Sequence, residues 1–318
     1  MLMSETALPP NPRVVSLIAS ATEIMHALGA GEFQVARSHE CDWPESVLEL
    51  PQLTSTKFKV AGATSREIDT AVKTLIEQGL AVYEVDADAL KSLAPDVILT
   101  QDQCEVCAVS LADVERAVAG WTECHASVVS LKPHTLADIY ADNIRIAHAL
   151  GRPAAGHALN DAMAVAFDEV RRRTTCRGRP RLAFIEWIDP PMSGGHWLPE
   201  ITDIAGAENL FGETGGQSPW ITLDEIIGAD PDIILVAPCG YDLDKTRQEM
   251  AVLDREPRWQ GLRAVRSGQL FIADGNAFFN RPGPRLVESA QMIAEIAHPE
   301  VARYGHYGKY VLRHAPIG

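Results

Sequence analysis

The sequence predicts a two-lobed α/β protein with parallel sheets and a helical connector between the lobes. Three observations carry this. Short β-branched runs alternate with helical patterns, which is the signature of a parallel sheet with crossover helices. The elements of residues 13–134 recur in the same order in residues 179–318. Between them, residues 135–178 read as helix with no strand pattern. Residues 1–12, with Pro9, Pro10 and Pro12, form an extended tail.

In the first lobe, Arg13–Ile18 is a buried strand bounded by a turn. Ser20 and Glu23 have capping-box spacing, and the helix they open runs through Ile24, Ala27 and Leu28 to Gly29. Val35–Arg37 is a second strand, Ser65–Gly79 a helix, Ala81–Val85 a strand and Ala87–Leu93 a short helix. Pro95 and Asp96 lead into the strand Val97–Thr100, followed by a helix near Ser110–Ala119 and a strand at Ala126–Leu131. Thr135–Leu150 and Pro153–Arg173 are consecutive helices divided at Gly151, and the second is amphipathic. In the second lobe, Arg181–Glu186 is a strand and Trp197–Ala205 a helix ending in Gly206-Ala207-Glu208, which echoes Gly29-Ala30-Gly31-Glu32. The clearest echo is Ala89–Thr100 with Asp224–Val236. In both, a short helix ends and a Pro-Asp turn feeds an apolar strand. Gln269–Ala273 is the closing strand.

The composition, 46% hydrophobic and 22% charged, is that of a folded globular chain. The net charge of −15 excludes the basic face a nucleic-acid binder needs. The densest basic run, Arg171–Arg173 with Arg177, Arg179 and Arg181, sits at a helix C-terminus, where positive charge is favourable. No segment approaches a membrane span, so membrane insertion is not expected. Residues 1–13 lack an export signal, which points to the cytoplasm, or to the periplasm if a leader has been trimmed. The six cysteines are accordingly expected as thiols.

Ligands of open parallel sheets bind beyond the carboxyl ends of the strands. The loops expected there are Ala19–Thr22, Ser38–Trp43, Gln101–Cys107, Trp187–Trp197, Ala237–Tyr241 and Asn276–Arg281. Ser38–Trp43 gathers His39, Glu40, Cys41, Asp42 and Trp43; Gln101–Cys107 adds Cys104 and Cys107 in a Cys-x-x-Cys. A thiolate and imidazole set of this kind suits zinc or another borderline metal, but with a single Cys-x-x-Cys the thiols equally suit a ligand wall, a structural pair or a redox pair. Trp187–Trp197 places two indoles and His196 in a Pro- and Gly-containing loop, a platform for a large flat ligand. Arg281 is placed to meet an anionic group. The Gly-x-Ser-x-Gly and His-Glu-x-x-His patterns of hydrolases are absent.

These residues resemble the cobalamin-binding and iron-siderophore-binding proteins of ABC importers, whose lobes are joined by a rigid helix. The matching stretches begin at Arg13, Leu93, Pro231 and Arg281. The segments His39–Asp42, Cys104–Ser110 and Gly195–Trp197 resemble an unexported cobalamin-binding branch of that group. The resemblance implies two Rossmann-like lobes with parallel sheets joined by a long backbone helix, the Pro153–Arg173 pattern. It also implies a non-catalytic protein binding a metal-chelate or corrinoid ligand, cobalamin foremost, in the cleft between the lobes, with an ABC permease as partner. The expected ligand residues are Ser20, His39, Glu40, Cys41, Asp42, Trp43, Gln101, Cys104, Glu186, Trp187, His196, Trp197, Phe278 and Arg281. The alternative is a metal-ion protein or metallo-enzyme, with a divalent metal such as zinc on His39, Cys41, Cys104 and Cys107 beside Glu40.

Overall fold

A computed structural model describes residues 9–58, 60–78, 82–101, 114 and 126–316. The chain divides into two compact units. The first holds residues up to 61, with 71–133 and 137–161; the second holds 62–70, 134–136 and 162–318. Cys104, Cys107 and most of the expected helix near Ser110–Ala119 lie outside the described residues.

The first unit is built on four parallel strands in the order β2-β1-β5-β6: β1 (Val14–Ser16), β2 (Gln34–Arg37), β5 (Val97–Gln101) and β6 (Ser127–Leu131). Alternation divides their side chains between two apolar layers. Val14, Val97, Leu99 and Val129 pack with α1 (Ala19–Ala27) and α4 (Leu136–Ala149). Val15 and Ile98 pack the opposite way, with Leu90 of α3 (Ala87–Leu93) and with Leu53, Val82 and Tyr83. Both faces are therefore covered, as a parallel sheet requires. A small antiparallel pair, β3 (Thr54–Thr56) with β4 (Tyr83–Val85), lies beside it. The helix α2 (Ser65–Glu77) begins in the second unit and ends in the first, and α5 (Pro153–Thr174) likewise runs from the first unit into the second.

The second unit's sheet has β7 (Arg181–Trp187), β8 (Met192–Ser193), β9 (Glu208–Asn209), β10 (Ile233–Val236), β11 (Leu270–Ala273) and β12 (Val311–Arg313). Its parallel core runs β9-β7-β10-β11, the same 2-1-3-4 order as the first sheet, while β8 and β12 add antiparallel partners to β7 and β11. The all-parallel expectation therefore holds for the first sheet, and the second is mixed. Around it stand α6 (Leu198–Ile204), α7 (Leu223–Ala229), α8 (Leu243–Glu249) and α9 (Leu286–Ala297), with three short helical turns between α8 and β11.

The Pro-Asp echo has a physical basis. Asp96 accepts the Arg13 amide at 2.7 Å, and Asp232 accepts the Arg181 amide at 2.8 Å. Each arginine side chain then bonds a carbonyl at the end of the preceding helix, Arg13 to Leu93 at 2.7 Å and Arg181 to Ala229 at 2.6 Å. Ala94 and Asp230, the two C-caps, share left-handed backbone with φ of 43° and 42°. In each unit the aspartate thus ties the start of the first strand to the turn feeding the third.

The capping box expected at Ser20 is not formed. The helix α1 already includes Ala19, its N-cap is Ile18 without a side-chain bond, and Ser20 and Glu23 are buried within it. The matching pattern is realised at α7 instead, where Thr222 and Glu225 cap reciprocally.

Candidate functional site

In the first unit a largely buried polar chain runs from α1 and the start of β2 to the loop that follows β2. His26 Nε2 meets Gln34 Oε1 at 3.0 Å, Gln34 donates to Thr22 at 3.4 Å, and Thr22 Oγ1 donates to Cys41 Sγ at 3.1 Å. Ser38 Oγ lies 3.3 Å from the same sulfur. Cys41 also packs in a small apolar cluster with Ala19 and Val47. Burial pushes its thiol up, against the pull of the Ser38 and Thr22 hydrogen bonds, so the sulfur is a neutral thiol. It fastens the Ser38–Trp43 loop to α1.

His39 turns to other partners. Its Nδ1 lies 2.7 Å from Thr54 Oγ1, which also accepts the His39 amide at 2.9 Å, and its ring leans on Tyr83. Burial, then the nearby Arg37 charge, holds its pKa below the usual imidazole value. The two expected metal ligands described here are therefore engaged in separate hydrogen-bond sets. Among the described residues no three His, Cys, Asp or Glu side chains form a group able to hold a metal ion. Glu40 and Asp42 are half-buried, Trp43 is 48% exposed, and Gln101 is buried at the end of β5. Ser20 is buried, and its Oγ has no hydrogen-bond partner among the described residues.

The second unit carries the more constructed loops. Glu186 accepts from Ser218 Oγ at 2.9 Å, and that hydroxyl accepts the Gly195 amide at 3.2 Å. The half-buried Trp187 leans on Tyr241, ring centroids 5.1 Å apart. Tyr241 in turn reaches Ser65, whose amide and hydroxyl both donate to Glu249 at 2.8 Å. Burial pushes the Tyr241 phenol up to about 12. Burial also raises the Glu249 carboxyl, but the Ser65 and Lys245 contacts outweigh it and the net shift is downward. Beside Trp187, Arg66 forms a bidentate ion pair with Asp189.

His196 has left-handed backbone, φ 52°, uncommon for a side chain with a Cβ. Its amide donates to Gly216 at 2.7 Å and its carbonyl accepts the Gly215 amide at 2.9 Å. Gly195 is required before it, since a Cβ there would stand 2.6 Å from the Gln217 carbonyl. The imidazole stacks on Trp197 and faces His134, with the two Nδ1 atoms 3.3 Å apart. His134 is held in turn, because the Leu136 amide two residues on donates to Glu200 at 2.8 Å. Burial, then His134, lowers the His196 pKa, so its ring is neutral near pH 7.

Two expected aromatic walls are interior instead. Trp197 is 5% exposed and donates to the Phe279 carbonyl at 2.8 Å; Phe278 is 2% exposed, between Tyr310 and the Arg285 guanidinium. Arg281 is also buried, and bonds Asn276 at 3.0 Å. Proximity to a Gly- and Pro-rich loop does not by itself expose a ring when the following helix begins at once. His134, Arg66 and the 52% exposed Trp220 carry no such expectation from the sequence, and Tyr241 enters it only as the end of the Ala237–Tyr241 loop. The signal for His134 was present, since it follows β6 as the other loops follow their strands. A shallow depression of about 660 Å³, lined by Cys176–Pro180 and Ala297, His298 and Glu300, lies at the amino ends of the strands, away from these loops.

Comparison with known proteins places this arrangement. The model of the family described as periplasmic binding protein matches residues 14–277. The Vitamin B12-binding protein of Vibrio cholerae is 22% identical over 291 residues, covering 89% of this chain and 88% of that protein. Among solved structures, a periplasmic heme binding protein from Pseudomonas aeruginosa aligns with a TM-score of 0.69 at 16% identity, covering 91% of this chain and 94% of its own. The periplasmic vitamin B12 binding protein of Vibrio cholerae aligns at 0.63 with 19% identity, covering 91% and 97%. These likenesses give the two-lobed fold, and no helix among the described residues is long and apolar enough to cross a membrane. Since the family match covers residues 14–277, well over half of the chain, the chain belongs to the periplasmic binding protein family, a family of binders and not of enzymes.

Proposed function

We propose that the protein binds a solute carrying a complexed metal, a corrinoid or another metal chelate, with cobalamin as the leading candidate. The observation that carries this reading is the family match over residues 14–277 together with the Vitamin B12-binding relative that spans nearly the whole chain. The loops are compatible with it. In the second unit Trp187 offers indole surface for a broad apolar ligand, and His196 offers a neutral ring nitrogen. Cys41, Trp197, Phe278 and Arg281, being buried and internally bonded, act as supports for these loops. The family supports the periplasm as the site of action and an ABC permease as the partner, in place of the cytoplasmic setting expected from residues 1–13.

Titration of the purified protein with aquocobalamin, followed by visible absorbance, tests the proposal. A saturable change at one equivalent is expected, weakened about tenfold or more (about 1.4 kcal/mol) by Trp187→Ala. Spectra that merely add, with no shift at saturating protein, would remove cobalamin as the ligand.

A further inference from the structure

We propose that His134 and His196 form a two-histidine clamp that takes two neighbouring coordination positions of the ligand's metal. The clamp rests on the reading that the solute carries a complexed metal, and within that reading it favours an open metal chelate over cobalamin. Metal–nitrogen bonds of about 2.0–2.1 Å set two imidazole nitrogens about 3.3 Å apart at a tetrahedral angle, about 2.9 Å at a right angle and about 4.1 Å when opposite. The two Nδ1 atoms here are 3.3 Å apart, and the ring centroids 5.3 Å. That separation suits neighbouring positions and is too short for opposite ones. One Nδ1 carries the proton of the hydrogen bond between them, and it passes to the ring's Nε2 when both Nδ1 atoms take the metal.

Both rings are half-buried and are held from behind. The Gly215 and Gly216 backbone pins His196, and Glu200 fixes the segment that carries His134. Such outer supports are what orient metal-ligating histidines. No third His, Cys, Asp or Glu among the described residues completes a metal-ion site with them. The remaining positions therefore belong to the ligand, so the clamp receives a metal that arrives already chelated.

This narrows the ligand class. A corrin or porphyrin ring occupies the plane and leaves positions on opposite faces, so it engages one of these imidazoles at most. An open chelate of a first-row metal leaves neighbouring positions free and engages both, and imidazole suits such metals.

The test uses Cu(II)–nitrilotriacetate, an open chelate with neighbouring positions available, on the full chain and on His134→Gln and His196→Asn. Asparagine tolerates the left-handed backbone at 196, and thermal melts check that each variant is folded. The expected result is one high-affinity equivalent, an electron paramagnetic resonance spectrum split by two imidazole nitrogens, and at least tenfold weaker binding in each variant. Equal affinity in wild type and both variants, or coupling to a single imidazole nitrogen beside the chelator's own amine, overturns the clamp and shows the pair to be a hydrogen bond. An aquocobalamin titration on the same samples separates the two claims. Cobalamin bound without the copper complex leaves the functional reading standing and the clamp overturned; the copper complex bound by both rings without cobalamin does the reverse for cobalamin.

Discussion

Asp142 is a carboxyl placed against its own charge. It lies on α4 with its side chain 4% exposed, paired with Arg145, and one of its oxygens has no hydrogen-bond partner among the described residues. Burial pushes its pKa to about 6 despite the Arg145 charge and the Lys132 amide. A carboxyl whose folded pKa exceeds its unfolded value favours folding while protonated; that contribution is lost as pH rises from about 4 through about 6. Asp142→Asn is therefore expected to raise the melting temperature at pH 7.5 by about 2–4 °C, for roughly 1 kcal/mol, and to leave it unchanged at pH 4. Melts at the two pH values check the sign. Cys41 gives a second test at this scale. Its neutral, buried sulfur is expected to resist a thiol reagent at pH 8 while exposed Cys176 reacts, with peptide mass mapping as the readout. Cys41 modified as fast as Cys176 contradicts its role as a buried fastening.

At the scale of elements, the two Asp–Arg ties are the joints of the repeat. Each closes a strand start onto the turn before the third strand through a carboxylate and a backbone amide. Asp96→Ala and Asp232→Ala are each expected to cost about 1–2 kcal/mol in denaturant unfolding. The ties share no partners and sit in different units, so the double variant is expected to show the sum within about 0.5 kcal/mol. For Asp232, burial is outweighed by the Arg181 amide and by Arg263, and its pKa is lowered. Its contribution is therefore present above its unfolded pKa and is lost as pH falls through its folded one. The Pro-Asp echo was legible because it is a local string of residues. The bonds behind it were not, since Arg13 stands 83 positions from Asp96. Ser20 shows the opposite limit. The capping pattern is a rule for helix ends, and at α1 both of its residues are turned into the core, where burial sets the boundary instead.

On the scale of the whole molecule, the strand–helix alternation and the duplicated order were readable because periodicity is local. Segments 62–70 and 134–136 were not. Each is flanked in sequence by the first unit yet belongs to the second, through Ser65 with Glu249 and Leu136 with Glu200. That long-range docking is also why the histidine opposite His196 went unread, although His196 itself was legible from its loop. The expected aromatic walls fared unevenly for the same reason: Trp43 and Trp187 keep surface, while Trp197 and Phe278 are consumed by packing that residue type alone does not reveal. The central claim is that the protein binds a metal-bearing solute. Native mass spectrometry of the full chain, equilibrated with equimolar aquocobalamin, Cu(II)–nitrilotriacetate and a metal-free organic solute of similar size, tests it most directly. One molecule of a metal-bearing complex per chain is expected; adducts of the metal-free solute alone, or none at all, would rule out a metal-bearing solute as the ligand.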